Sequence, residues 1–192
     1  MIKSDNQSTK YELLNSAIEL FKNYGYDNVT VDDISAAAGV TKPTFYYYFK
    51  SKDEIIIDFF ADVNFFAKEH LASMLTAGNY IDQLWYINEL YIKRTSIAGP
   101  AIAKELFIAN LKNGSKSIAP DDIYLREVII TLINQGQECR QILNTTPAEK
   151  LYKTMVYLMD GVSLIWAMKD GNFDIVDESR KAFDELLLTN YS

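Results

Sequence analysis

The sequence holds one cysteine and one histidine in 192 residues, and each scarcity removes a class of function. Cys139 alone cannot close an intramolecular disulfide and suits a reducing compartment; a structural cysteine is the plainer reading of it than a redox switch. His70 and Cys139 together fall short of the ligands an ordinary zinc site requires. The chain lacks a nucleophile–base pair, a glycine-rich phosphate loop and a metal-ligand set, so nothing motivates an enzyme and no cofactor is expected. No apolar run approaches the roughly 20 residues that span a bilayer. The start, Met1-Ile2-Lys3-Ser4-Asp5, leads into no apolar run of the signal-peptide kind. These absences together describe a cytoplasmic protein with no membrane partner.

Glycine is also sparse, at 8 residues, while hydrophobic residues make up 48% of the chain. That balance fits a compact helical protein rather than a disordered or loop-rich one. The formal net charge of −7 speaks against nucleic acid as a partner, since phosphate backbones call for positive potential. The charge is unevenly placed, however. Lys42, Lys50 and Lys52 fall in a stretch that no acid interrupts.

The helical pattern opens at Thr9-Lys10-Tyr11-Glu12, which reads as a capping box followed by an apolar face of Leu13, Leu14, Ala17, Ile18 and Phe21. Gly25 is placed to end this helix in a left-handed conformation. Thr30-Val31-Asp32-Asp33 opens a second, brief helix that stops at Gly39, and Thr41 caps a third with Pro43 in its first turn. Ser51-Lys52-Asp53-Glu54 starts a fourth helix whose apolar period extends for roughly 24 residues. Helical patterns then run from Tyr80 to Thr95, from Ala101 to about Leu111, and from Pro120 to about Gly136. Two more follow, one from Thr146-Pro147-Ala148-Glu149 and one from about Asp174 to Thr189. No alternating strand pattern, repeat or low-complexity tract appears. The fold expected is all-α, with a three-helix domain over residues 1–52 and a larger helical domain over 53–192.

Between residues 30 and 49 the spacing is that of a helix-turn-helix. Ile34 and Ala38 face inward, Gly39 makes the turn, and Val40 and Phe45 close a small core. Such a unit sets its second helix in the major groove, which nominates Thr41, Lys42, Pro43, Thr44, Tyr46, Tyr47 and Tyr48 as DNA contacts. Successive helical positions lie about 100° apart, so three consecutive tyrosines cannot all turn into one core already served by Phe45 and Phe49. Lys50 and Lys52 flank the same surface.

These residues carry a family resemblance. From Tyr11 to Ile57, and above all through Thr30-Val31-Asp32-Asp33-Ile34 and Ala38-Gly39-Val40-Thr41-Lys42-Pro43-Thr44-Phe45-Tyr46-Tyr47-Tyr48-Phe49-Lys50-Ser51-Lys52, the chain resembles the TetR family of transcriptional regulators. Weaker likeness continues through Gly136-Gln137-Glu138-Cys139-Arg140 and the helix holding Gly161 and Trp166. Ser35, Pro43 and Tyr48 depart from the alanine, the glycine and the histidine or arginine frequent at those places. The resemblance implies phosphate contacts from Thr30, Thr44, Tyr47 and Lys52, with Lys42, Pro43 and Tyr46 nearest the base edges.

It further implies a double-stranded DNA operator of near-palindromic form, a homodimer, and a small-molecule effector held in the larger domain, so that the protein acts as a repressor. The candidate effector contacts are Phe59, Asn64, Phe66, His70, Trp85, Asn88, Tyr91, Phe107, Asn110 and Tyr124. The last two helices are apolar on more than one side, which calls for more than one neighbour. The expected dimer interface there comprises Leu151, Met155, Met159, Val162, Trp166, Phe183, Leu186 and Leu187. A helical binding or sequestering protein that no longer reads DNA is the alternative.

Overall fold

The computed structural model describes residues 2–61, 78–113 and 123–189. Its first helix, α1 (Ile2–Tyr24), begins upstream of the expected capping box, so Thr9 lies inside the helix rather than at its end. No glycine or proline stands between Ile2 and Thr9 to stop the helix from extending backwards past the box. Gly25 ends α1 as expected. It adopts φ +82° while its amide returns to the Phe21 carbonyl at 2.9 Å.

The next two helices follow their caps. Helix α2 (Val31–Ala37) starts from a complete capping box: Thr30 Oγ1 accepts from the Asp33 amide at 3.2 Å, and the Thr30 amide donates to Asp33 Oδ2 at 2.8 Å. Gly39, at φ +65°, turns the chain in a region where only glycine is free of a Cβ clash. Helix α3 (Lys42–Tyr48) then starts from Thr41, whose side chain accepts from the Thr44 amide. At Phe49 the backbone becomes extended and α3 stops.

Helix α4 (Lys52–Ala61) carries half of the expected capping box. Ser51 Oγ accepts from the Glu54 amide, but the Glu54 carboxylate reaches the Lys50 amide instead. The remainder of the long fourth helix read from sequence lies outside the described residues.

A first core gathers Leu13, Phe21, Ile34, Phe45 and Phe49 with Ile55 and Ile56 of α4, all buried. It does not close at Lys52. Phe59 and Phe60 belong to it, and so do Ala98 and Ile102, which come from the two central helices α5 (Tyr80–Ala98) and α6 (Pro100–Asn113). Gly99, at φ +90°, makes the sharp corner between these helices, and Pro100 opens the second one where its missing amide hydrogen is harmless.

The second core lies among α5, α7 (Ile123–Glu138), α8 (Ala148–Met168) and α9 (Ile175–Leu187). Helix α8 packs against α6, α7 and α9, and α5 against α7 and α9. Thr146 does not cap α8. Pro147 takes the cap position without a side-chain bond, and Thr146 instead offers its carbonyl to Gln137 Nε2 at 2.9 Å. Asp174, where the last helix was expected to begin, caps α9 by accepting from the amides of Val176 and Asp177. An isolated antiparallel bridge joins Ile142 to Thr189. No helix among the described residues is long and apolar enough to cross a membrane.

Candidate DNA-reading surface and ligand cavity

The first core determines what α3 shows to solvent. Phe45 and Phe49 are fully buried, so the helix is anchored by one side and its remaining positions turn outward. Tyr46 is 51% exposed and Tyr47 72% exposed, two large aromatics side by side on a surface. Tyr48 is half-buried, packed against the core, with its ring edge-on to Tyr47 at 4.9 Å. Thr41, Lys42 and Pro43 are exposed at the start of the helix, with Thr44 half-buried beside them. One face thus presents two phenols, an ammonium group and a proline ring.

The polar groups around this face are already engaged with one another. Lys42 Nζ pairs with Asp32 Oδ2 at 3.0 Å, and the neighbouring carboxylate raises the pKa of the ammonium. Both ends of this pair are exposed, so the attraction is weak and exchangeable. The Thr41 and Thr44 hydroxyls share a hydrogen bond of 2.8 Å. Thr30 Oγ1 donates to Asp33 Oδ2 at 2.6 Å, and the bonds from Thr30 hold the Asp33 carboxyl below its usual pKa.

Lys52 has a different place from the one its sequence position suggests. Its ammonium group donates to the carbonyls of Tyr26 and Val29, at 2.7 Å each, and lies over the Tyr26 ring at 4.3 Å. Tyr26 in turn donates its hydroxyl to Asp53, and burial together with that carboxylate pushes the phenol well above its usual pKa. The start of α4 is therefore braced against the loop between α1 and α2. Lys50, by contrast, is exposed.

Within the larger helical unit a cavity of about 110 Å³ opens between α4, α5, α6, α7 and α8. Asn88, Tyr91 and Phe107 line it, as the sequence suggested. Phe59, Trp85 and Asn110 do not. Phe59 lies beneath the Arg94 guanidinium, 3.9 Å from its ring centre; Trp85 packs edge-on to Phe183; the Asn110 amide returns to the Leu106 carbonyl at 3.0 Å. Asn64, Phe66 and His70 lie outside the described residues, and so does the side chain of Tyr124, which falls in the first turn of α7.

Sequence reasoning missed other parts of the wall: Phe60 from α4, Thr95 from α5, and Tyr152, Asp160 and Ser163 from α8. Asp160 Oδ2 is closed off from solvent and has no hydrogen-bond partner among the described residues. Burial pushes the Asp160 carboxyl up to about 6. A signal was available. Tyr152, Met155, Val156, Met159, Asp160 and Ser163 recur at helical spacing along α8, and an acid set within such an apolar row is a candidate for a functional site.

The residues expected to form a dimer interface are mostly interior to the single chain. Leu151, Met155, Met159, Trp166, Phe183 and Leu187 are buried, and Val162 and Leu186 pack half-buried against the same core. The physical reason is the breadth of apolar surface on α8, whose inner side is needed to close the cavity and to seat α9. Its outward side is apolar as well: Tyr157, Leu164, Ile165 and Met168 are 70%, 40%, 50% and 68% exposed. Gly161 lies at helical spacing among them, and a Cβ there would meet no atom within 4 Å. Cys139 is exposed. Among the described residues, no group of three His, Cys, Asp or Glu side chains could hold a metal ion.

Comparison with known proteins agrees with this geometry. Residues 13–58 match the family model for bacterial regulatory proteins of the tetR family. The negative transcriptional regulator IcaR of the biofilm operon icaADBC in Staphylococcus epidermidis is 41% identical over 46 residues, covering 24% of this chain and 25% of its own length. The transposon Tn10 TetC protein of Escherichia coli is 46% identical over 50 residues, covering 26% of this chain and 25% of its own. The chain thus aligns with about a quarter of each of these curated relatives. The similarity in three dimensions reaches much further. The crystal structure of Thermus thermophilus FadR, a TetR family repressor in complex with lauroyl-CoA, matches over 93% of both chains with a TM-score of 0.65 and 21% identity. Residues 13–58 therefore resemble the N-terminal unit of bacterial regulatory proteins of the tetR family, and the chain as a whole shares the fold of a TetR family repressor.

Proposed function

We propose that this protein is a dimeric transcriptional regulator, acting as a repressor that a small-molecule effector releases from a near-palindromic DNA operator. The observation that carries the reading is the outward face of α3. A helix held from behind by Phe45 and Phe49 exposes Tyr46, Tyr47, Lys42 and Pro43 together, the arrangement a major-groove reader requires. Lys42 exchanges Asp32 for a phosphate or a base edge, while the phenols supply hydrogen bonds and apolar contact.

The second copy packs on the outward stripe of α8. Tyr157, Leu164, Ile165 and Met168 supply the apolar contact there, and Gly161 lets a partner helix approach closely. Pairing sets two α3 helices about one turn of DNA apart, which is what a two-fold operator demands.

The effector enters the cavity and acts through α4. Phe60 is part of the cavity wall, and its neighbour Phe59 is gripped by Arg94, whose Nε donates to the Phe59 carbonyl at 2.6 Å. Lys52, at the other end of the same helix, holds the loop between α1 and α2. A ligand that displaces Phe60 therefore shifts the whole reading unit through one rigid element. A coupling of about 1–3 kcal/mol is enough for a 5- to 150-fold loss of operator affinity.

Titration against duplexes selected from a random library tests the proposal. A selected sequence with two-fold symmetry, bound by the wild type and lost by the Lys42→Glu variant, is the expected result. Failure to enrich any sequence would overturn it.

A further inference from the structure

The proposed effector cavity has a chemical bias that follows from which polar atoms its walls leave unoccupied. Asn88 uses its amide hydrogens on the Leu84 carbonyl at 2.8 Å and on the Met155 sulfur at 3.5 Å. Thr95 donates its hydroxyl hydrogen to the Tyr91 carbonyl at 3.0 Å. Neither side chain therefore has a hydrogen left to donate to a ligand, and what each still offers is an acceptor oxygen. Asp160 adds a carboxylate, with Oδ2 buried and without a hydrogen bond among the described residues. Among the described residues lining the cavity there is no lysine, arginine or histidine to balance it.

A buried carboxylate without a partner is costly, and a ligand that supplies both hydrogens and positive charge removes that cost on binding. The rest of the wall is aromatic and aliphatic. Phe60, Tyr91, Phe107 and Tyr152 present rings, whose faces attract cations, and Met155 and Met159 present polarisable sulfur. The net charge of −7 on the chain favours the approach of a cation over that of an anion.

Resting on the reading of this cavity as an effector site, we infer that its ligand is an amine-bearing compound with a compact apolar or aromatic body, its ammonium group seated against Asp160. An anionic head group meets no positive charge in the described wall and faces a carboxylate instead. The lauroyl-CoA of the Thermus thermophilus neighbour is a poor guide to this chemistry.

The test uses three probes of matched shape and different charge: 2-phenylethylamine, 2-phenylethanol and phenylacetate. Calorimetric titration of the full chain near neutral pH should show the amine binding at least about tenfold more tightly than the alcohol, with the acid weakest. Asp160→Asn, which keeps the shape and removes the charge, should abolish the preference between amine and alcohol. Thermal melting of both proteins checks that the variant folds, and Asp160→Ser provides a second uncharged side chain should the first fail to fold. Equal affinity of the wild type for the three probes, or an amine preference that survives both substitutions, would overturn the inference. Operator release is measured separately. Asp160-dependent amine binding that leaves DNA bound supports the cation site and contradicts the effector reading; DNA release by phenylacetate with no role for Asp160 does the reverse.

Discussion

Among single side chains, exposure separates the proposed DNA contacts from the residues that build the core. Tyr47 is 72% exposed and Phe45 is fully buried, although they stand two positions apart. Tyr47→Ala should leave thermal stability unchanged and weaken operator binding, whereas Phe45→Ala should cost about 3–5 kcal/mol and unfold the reading unit. Melting curves and operator titrations on the two variants distinguish these effects. Asp160 makes a prediction in pH. Its carboxyl is pushed up to about 6 in the folded chain from a usual 3.8, so the folded state holds this proton more tightly than the unfolded state does. The group therefore lowers stability progressively as pH rises from about 4 through 6, and the loss is constant above that range. Asp160→Asn should gain on the order of 2 kcal/mol at about pH 7.5 and nothing at about pH 4, read by urea denaturation at the two pH values. Residues whose roles are local were legible in the sequence, as Gly25, Gly39 and the Thr30–Asp33 box illustrate. Lys52 was not, because the carbonyls it binds lie 26 and 23 residues away along the chain.

The helices themselves were legible from caps and apolar period, and their inward sides were less so. Helix α8 is apolar around most of its circumference, and periodicity cannot say which side the chain closes over. Leu151 and Met155 turn inward while Ile165 and Met168 stay outside, so the side read from sequence as an interface is the one the single chain buries. Ile165→Glu should yield a folded monomer in sedimentation experiments, whereas Leu151→Glu should fail to fold, since it places a charge in the core. The α5–α4 contact carries a second expectation. Arg94 lies over the Phe59 ring and donates to its carbonyl, so Arg94→Ala should loosen the end of α4 and reduce the effect of an effector on operator affinity. Operator titrations with and without ligand measure that coupling directly.

Across the molecule, the two cores share α5 and α6, which contribute Ile92 and Ala103 to one and Ala98 and Ile102 to the other. Ala98 and Ile102 belong to the core of the reading unit, while Thr95 and Phe107 line the cavity, so the same helices serve both sites. On the proposed function, coupling between them runs through rigid elements rather than through a long chain of contacts. The excess of acid adds a condition to the proposed function: with a net charge of −7, nonspecific attraction to DNA should be small, and operator binding should depend on a few local lysines and on the proposed pairing of two subunits. That α3 reads a two-fold operator is tested most directly by footprinting on a selected duplex. Two protected half-sites are expected, their centres about 34–36 Å apart or a multiple of that, with protection lost when Tyr46 and Tyr47 are both replaced by alanine. Unchanged protection in that double variant, or a single unpaired footprint, would contradict it.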